Sequence, residues 1–317
     1  MRLPLGLVQA LGLAVALAAC APPLVPVRPP PAASAPDPAH EEGFFAGHGG
    51  IQLYEQSWHP AARARAVLVI HHGLKSHSAH YDVLARRLVA NGYAVYAYDM
   101  RGHGRSEGRR ATLDDFEDLA RDLSIFMGRV QAREAGRATF LMGHSVGGAV
   151  VTLYTLEQRP AIAGLILLAP AIRVDRPPLL AAATPLTGTL LPNFGAVDVP
   201  DELFSRDPGT LAEMAHDPLI YHPAGPARTA AGLLAALERI WTHADELDVP
   251  LLALHGTADQ ATDPRGSVEI VRRAHNRDAT LLLYRGLYHD LVREPEREQV
   301  MGDLIGWLEK HTPAEAP

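Results

Sequence analysis

The chain has 317 residues, 47% of them apolar and 21% charged, with a formal net charge of −7. That length supports one large domain or two small ones, and the composition excludes a disordered or fibrous chain. The acidic balance excludes a generally basic nucleic-acid-binding surface, and a single cysteine, Cys20, excludes a disulfide framework, a thiolate zinc site and a cysteine nucleophile in the folded body.

In chain order, an uncharged and largely apolar run over residues 3–19 follows Arg2, and it has the length of a secretory h-region. It ends Leu17-Ala18-Ala19-Cys20, which resembles a bacterial lipobox. On that resemblance residues 1–19 are a lipoprotein signal peptide and Cys20 becomes the lipidated first residue. A plain signal peptide cut elsewhere is the competing reading. Residues 21–40 hold eight prolines and five alanines, so 20–42 reads as an extended tether with no core of its own. Acyl chains on Cys20 would fix the protein to a bilayer. The resemblance places it at the bacterial cell envelope. Ala21, where an aspartate would signal inner-membrane retention, favours the outer membrane of a Gram-negative cell.

From residue 50 onward short apolar runs alternate with helical patterns. The predicted strands are Ile51–Trp58, Ala66–His71, Tyr93–Tyr98, Ala138–Met142, Leu165–Ala169, Pro250–His255 and Thr280–Tyr284. Many are continuously apolar, as parallel strands buried on both faces require. The predicted helices are Ala79–Ala90, Leu113–Gln131, Val146–Gln158, Pro264–Ala274 and Glu296–His311. The alternation predicts an α/β fold, a mostly parallel central sheet flanked by helices. It breaks over about 171–248, where no sheet strand is evident. There the apolar stretch Pro177–Phe194 and helical patterns around Thr210–Ala215 and Thr229–Thr242 read as an inserted, mainly helical cap. No apolar run in the body is long enough to span a membrane. The folded domain is expected to cover 43–312, with 313–317 a disordered tail.

Gly143-His144-Ser145-Val146-Gly147 follows a predicted strand and opens a predicted helix, the context in which Gly-x-Ser-x-Gly makes a nucleophile turn. A serine on so sharp a turn needs small neighbours two residues to either side. The helix start behind it offers free N–H groups to a developing oxyanion. Ser145 is therefore the candidate nucleophile. The N–H groups of Val146 and of Leu74, in the His72-Gly73-Leu74 loop, are the candidate oxyanion donors. His72 itself is expected to be packed and structural. A serine hydroxyl needs an imidazole, and the imidazole needs an acid to fix its tautomer. The loops after the last two predicted strands supply Asp259 and His289, giving the chain order Ser145, Asp259, His289. Asp263 reads as a helix N-cap before Pro264, Asp290 is expected to point elsewhere, and His255 to be structural.

Together these motifs resemble the monoacylglycerol lipase/lysophospholipase group of α/β-hydrolases, a serine aminopeptidase-like set. The resemblance spans about residues 48–311. It rests on His72-Gly73 with His77-Ser78 and Tyr81, Asp99–Gly108 (DMRGHGRSEG), Asp114-Asp115-Phe116, the Ser145 turn, Asp217-Pro218-Leu219, His255–Asp259 and His289. It implies an α/β-hydrolase fold and hydrolysis of a lipid ester, a monoacylglycerol or lysophospholipid, through an acyl-enzyme. Ser145 would be nucleophile, Asp259 the orienting acid and His289 the general base, with Leu74 and Val146 as oxyanion donors. The competing readings are a general carboxylesterase for short soluble esters and a catalytically silent lipid-binding envelope lipoprotein.

No metal or organic cofactor, nucleic acid or obligate protein partner is expected, and no His-Glu-x-x-His pattern is present. Where the family continues its oxyanion loop with Gly and Glu, this chain has Lys75 and Ser76. Lys75 either favours an anionic head group or points to solvent. Asp99–Gly108 is expected to be structural, with Arg101 and Arg105 at the surface or ion-paired. The apolar cap stretch either lines an acyl site, docks on a bilayer or packs on the sheet.

Overall fold

The strands, in chain order, are β1 (His40–Ala46), β2 (Gln52–Trp58), β3 (Ala66–His71), β4 (Tyr93–Tyr98), β5 (Thr139–His144), β6 (Gly164–Leu168), β7 (Gly195–Val197), β8 (Gly225–Pro226), β9 (Leu251–Gly256) and β10 (Ala279–Tyr284). Eight of them form one sheet in the order β1-β2-β4-β3-β5-β6-β9-β10. β1/β2 and β2/β4 pair antiparallel, and the remaining neighbours are parallel. The computed structural model describes residues 40–113, 115–173, 184 and 186–314. Cys20, Asp114, most of Pro177–Thr184 and the last three residues of the tail lie outside the described residues, as do the expected signal peptide and nearly all of the tether.

β3, β4, β5, β6 and β9 are buried along their whole length, which is why they read as unbroken apolar runs. Their side chains alternate between two cores. Val67, Val69 and Leu141 face one, and Leu68, Ile70, Phe140 and Met142 face the other. Helices cover both faces. α1 (Asp82–Ala90) and a C-terminal helix over 297–311 bring Leu84, Leu88, Leu304 and Trp307 to the second core. α2 (Phe116–Arg133) and α3 (Val146–Gln158) bring Leu119, Phe126, Val150 and Leu153 to the first.

Between β6 and β9 lies the insertion, with α4 (Pro208–His216) and α5 (Ala227–His243). α5 belongs to the body as much as to the cap, because Ala236, Leu237 and Ile240 enter the first core. The chain then runs through β9, α6 (Pro264–Arg273), β10 and α7 (Arg297–His311). Among the described residues no helix is long and apolar enough to cross a membrane.

Two strand expectations need correction. β1 is an additional edge strand that starts at His40, so the sheet begins before the domain boundary expected at 43. Its residues HEEGFFA mix charge with glycine because only one of its flanks is paired. The insertion does contain strands, but β7 and β8 form a short antiparallel ribbon apart from the main sheet.

The register matters most at the carboxyl ends. His71 pairs with Gly143, His144 with Leu168, Leu168 with Leu254, and Tyr284 with Gly256. The loops after β3, β5, β9 and β10 therefore open along one rim, where ligand sites of open α/β sheets lie.

Candidate active site

Ser145 is the whole turn between β5 and α3. Its backbone sits at φ 55°, ψ −123°, a strained conformation for any residue with a side chain. The surroundings fix it there. Its N–H donates to Leu168 O at 3.0 Å, and its carbonyl accepts from Gly148 and Ala171 N–H at 2.9 and 2.8 Å. The small neighbours are a packing necessity. A Cβ on Gly147 would lie 2.3 Å from the His71 carbonyl oxygen, and one on Gly143 would lie 2.4 Å from that of Gly147.

Gly73 brings the loop after β3 against the turn, where a Cβ would stand 2.7 Å from that of Ser145. The next N–H, that of Leu74, and the N–H of Val146 at the start of α3 have no acceptor among the described residues. Both residues line one pocket with Ser145 and His289. His72 holds the loop from beneath. Its Nδ1 meets Gly73 O at 2.7 Å, and its Nε2 accepts from Met100 N–H at 2.8 Å, the packed part expected of it.

On the other side of the pocket, His289 Nδ1 lies 2.8 Å from Asp259 Oδ2. The carboxylate is fully buried, yet its oxygens are well supplied. Oδ1 accepts from the Ala261 and Thr262 N–H groups at 2.8 and 3.0 Å, and Oδ2 also accepts from Thr262 Oγ1 at 2.9 Å and faces His255 Nε2 at 3.1 Å. Burial pushes the Asp259 pKa up, but the His289 and His255 imidazoles and their hydrogen bonds outweigh it and hold it well below the usual range. Asp259 therefore stays ionised and fixes Nδ1 as the protonated nitrogen of His289, leaving Nε2 free to take a proton. With a serine on a strained turn and unpaired N–H groups beside it, the arrangement suits nucleophilic attack on a carbonyl.

Supporting residues that the sequence reading missed surround this set. His144 donates through Nε2 to His289 O at 3.3 Å and accepts from Tyr81 O–H through Nδ1 at 2.9 Å. Burial and the neighbouring His289 push its pKa down to about 4, so it is a neutral prop for the His289 backbone. Phe204, from the insertion, packs edge-on to the His289 ring at 5.4 Å. Thr262 lies between Asp259 and His289, and His255 is more than packing because it shares the carboxylate. The sequence signal for His144, His255 and Thr262 is nearness to the serine or to the acid loop, and Phe204, in the insertion, has none. Asp263 caps α6 by accepting from Arg265 N–H, and Asp290 turns towards Arg293, as expected.

Lys75 corrects the solvent-facing reading, and it lines the Ser145 pocket. It is neither solvent-facing nor a free charge, because Nζ lies 2.7 Å from Asp201 Oδ1 and donates to Val199 O at 2.8 Å. Its φ of 53° explains why a glycine suits that position. Asp99 is structural, accepting from Ser78 N–H, Ser78 Oγ and Arg105 N–H. Arg101 is ion-paired to Asp118 and Asp122, and Arg105 to Glu42.

The pocket encloses about 220 Å³. Its floor is Ser145, Leu74 and His289, and its roof is the insertion, with Val199, Leu203, Phe204 and Tyr221.

Comparison with known proteins identifies the family and the fold. The family model for Serine aminopeptidase, S33 (Hydrolase_4) matches residues 62–296. A monoacylglycerol lipase of Mycolicibacterium smegmatis is 33% identical over 272 residues, covering 85% of this chain and 97% of the relative. The monoglyceride lipase of Homo sapiens is 31% identical over 268 residues, covering 83% of this chain and 88% of the relative. The crystal structure of Paleococcus ferrophilus monoacylglycerol lipase superposes with a TM-score of 0.74 at 28% identity, over 82% of this chain and 99% of that one. With its mostly parallel eight-stranded sheet and helices on both faces, the chain has the α/β-hydrolase fold and belongs to the Serine aminopeptidase, S33 family.

Proposed function

We propose that this protein is a serine ester hydrolase acting on lipid esters of the monoacylglycerol or lysophospholipid type. The observation that carries the reading is Ser145 on its strained turn, in one pocket with a His289 whose Nδ1 is 2.8 Å from a buried carboxylate. His289 Nε2 takes the hydroxyl proton as Ser145 Oγ attacks the ester carbonyl. The oxyanion is held by the Leu74 and Val146 N–H groups, worth about 3 kcal/mol for each donor. The ester C–O bond breaks, His289 gives its proton to the leaving alcohol, and the acyl group stays on Ser145. Water, deprotonated by His289, then releases the fatty acid and restores the serine.

The insertion supports a lipid substrate. Leu186, Leu190, Leu191 and Phe194 are exposed within nine residues of chain, and its inner side roofs the pocket. A tether also suits work at a membrane, so Cys20 is read as the lipidated residue of an envelope lipoprotein. Replacing Cys20 with serine should move the protein from the membrane to the soluble fraction. Unchanged fractionation would remove the anchor.

The test of activity is fatty-acid release by the full chain in detergent, from long-chain monoacylglycerol, lysophospholipid and a short soluble ester. Ser145→Ala should abolish long-chain release. Hydrolysis of the short ester alone would leave a general carboxylesterase. A folded protein that is inactive on all three, with no labelling of Ser145 by a fluorophosphonate, would leave the silent lipid-binding reading.

A further inference from the structure

Beside the oxyanion loop, outside the Ser145 pocket, two histidines and an aspartate converge for which the hydrolytic chemistry has no use. His77 and His80 are three residues apart around a single 3₁₀ turn, Ser78–Tyr81, and a turn of that pitch puts such positions on one face. Their rings lie 4.0 Å apart, centroid to centroid. Asp217, just past the end of α4 in the insertion, meets both through one oxygen: Oδ2 is 2.8 Å from His77 Nε2 and 3.2 Å from His80 Nε2. The three ligand atoms all lie within 4.8 Å of one another.

The atoms behind two of these three are also in place. The other Asp217 oxygen accepts from Leu219 N–H at 2.8 Å, and the other His80 nitrogen meets Ser76 Oγ at 3.2 Å. Asp217 and His80 are thus held by their far sides, as metal-ligating carboxylates and histidines commonly are.

We propose that His77 Nε2, His80 Nε2 and Asp217 Oδ2 form a binding site for a zinc-type divalent cation that fastens the cap to the oxyanion loop. Two imidazoles with one carboxylate select zinc, cobalt or nickel over calcium or magnesium, which take oxygen ligands. Hydrogen-bonded separations of 2.8 and 3.2 Å between ligand atoms are close to the ~3.3 Å edge of a tetrahedron around an ion that binds nitrogen at about 2.0–2.1 Å. The three side chains are 6%, 11% and 18% exposed, enough for water to complete the shell. Arg110 and Arg293 carry positive charge close by, so the site binds more weakly than one built from two carboxylates. The ion would join a loop carrying Leu74 to a residue 137 positions from His80 in sequence. Its readout is binding itself, so the inference stands or falls apart from the hydrolytic reading.

The test is titration of the chelator-treated full chain in detergent with Zn(II), followed by calorimetry, and with Co(II), followed by visible absorption. One equivalent should bind, with the intense Co(II) bands of tetrahedral coordination, and Zn(II) should raise Tm. His80→Ala and Asp217→Asn should each weaken binding about 100-fold, and Ser76→Ala about tenfold. His80→Gln, which keeps a hydrogen-bonding group facing Asp217, guards against a folding defect and should lose the ion as well. The chain has 16 histidines, so the deciding comparison is with the variant lacking all three ligands. Equal Zn(II) binding by that variant and the wild type, or no binding by the wild type, would overturn the site.

Discussion

Ser145 and Asp259 stand on loops that leave the fully buried strands β5 and β9, and His289 on the loop after the half-buried edge strand β10, whereas the insertion above them is held by different means. The floor inherits its precision from β5, β9 and β10 and the two cores on either side of the sheet. Among the described residues, the outer insertion has a small buried cluster of Phe204, Met214 and Ile220. It is tied to the body by polar contacts instead: Lys75 to Asp201, His77 and His80 to Asp217, Arg206 to the buried Glu294, and Ser205 Oγ to Arg293 O. Non-directional packing yields a rigid floor, while a roof held by discrete contacts can be released a contact at a time. The chemistry therefore belongs to the sheet rim, and access and substrate choice to the insertion.

The sharpest way to break that division is Asp259→Asn. The Ala261 and Thr262 N–H groups need an oxygen at the Oδ1 position. The new NH₂ must then face His289 Nδ1, His255 Nε2 and Thr262 Oγ1, where the carboxylate accepted. His289 would have to accept at Nδ1 and carry its proton on Nε2, the tautomer that cannot take one from Ser145. The expected loss in kcat/KM is about 10⁴-fold, with the fold retained by circular dichroism. A loss below about tenfold would move the acid elsewhere, Asp290 being the alternative at hand.

Acid should loosen the floor before it removes the carboxylate contacts. Burial pushes the pKa of His71, His103 and His144 from 6.5 down to about 4, and burial does the same to His80 in spite of Asp217. The unfolded chain takes up protons near 6.5, and the fold excludes them until about 4. Between those values the unfolded state binds more protons, so stability falls as pH drops, by up to about 1.4 kcal/mol per pH unit for each histidine. Asp259 and Asp217 are depressed below 3.8, so their contribution is present above that value and is lost only as pH falls beneath it. Thermal unfolding should show Tm declining from pH about 7 to about 5. A flat profile over that range would mean that these histidines are already protonated or solvated in the fold.

Much of the floor was legible in the sequence, for a physical reason. A strand buried on both faces must be continuously apolar, and a serine on a strained turn needs glycines two residues away, so both leave local traces. β1 left none, because an edge strand with exposed flanks tolerates HEEGFFA. Tyr81 and Phe204 escaped because they are joined to the site across the chain, Tyr81 to His144 over 63 positions and Phe204 to the His289 ring from the insertion. His77 and His80 form no recognisable ligand pattern without Asp217. Lys75 was visible as an oddity, but its partners Val199 and Asp201 lie 124 and 126 residues away.

Lys75 separates backbone strain from cap anchoring. Glycine adopts φ 53° without the penalty of roughly 1–2 kcal/mol that a Cβ brings in the left-handed region. Lys75→Gly loses the tie to Asp201 but relieves that strain, and Lys75→Ala loses the tie and keeps the strain. The glycine variant should therefore be more stable than the alanine one by about 1 kcal/mol, the reverse of the order found in helices. Both should loosen the roof, which would appear as faster proteolysis within the insertion. Alanine equal to glycine in Tm would show that the loop relaxes around residue 75, and the roof would then be less dependent on this contact.

The smallest effect should come from the outer face of the roof. Leu190 and Phe194 are 67% and 61% exposed, so changing both to serine removes little packing and should leave Tm within about 0.5 kcal/mol of the wild type. In water those side chains gain nothing, but partial burial in a bilayer would return part of the about 1.5–3 kcal/mol that each is worth on transfer. Hydrolysis of monoacylglycerol in vesicles should therefore fall about fivefold, while a short ester in solution is turned over as before. That split is the signature of a docking surface, since a residue supporting the floor would depress both substrates. If both fell together, the patch would be acting on the pocket through Gly195–Val197 and the ribbon that lies against α5, and roof and floor would be more tightly coupled than their packing implies.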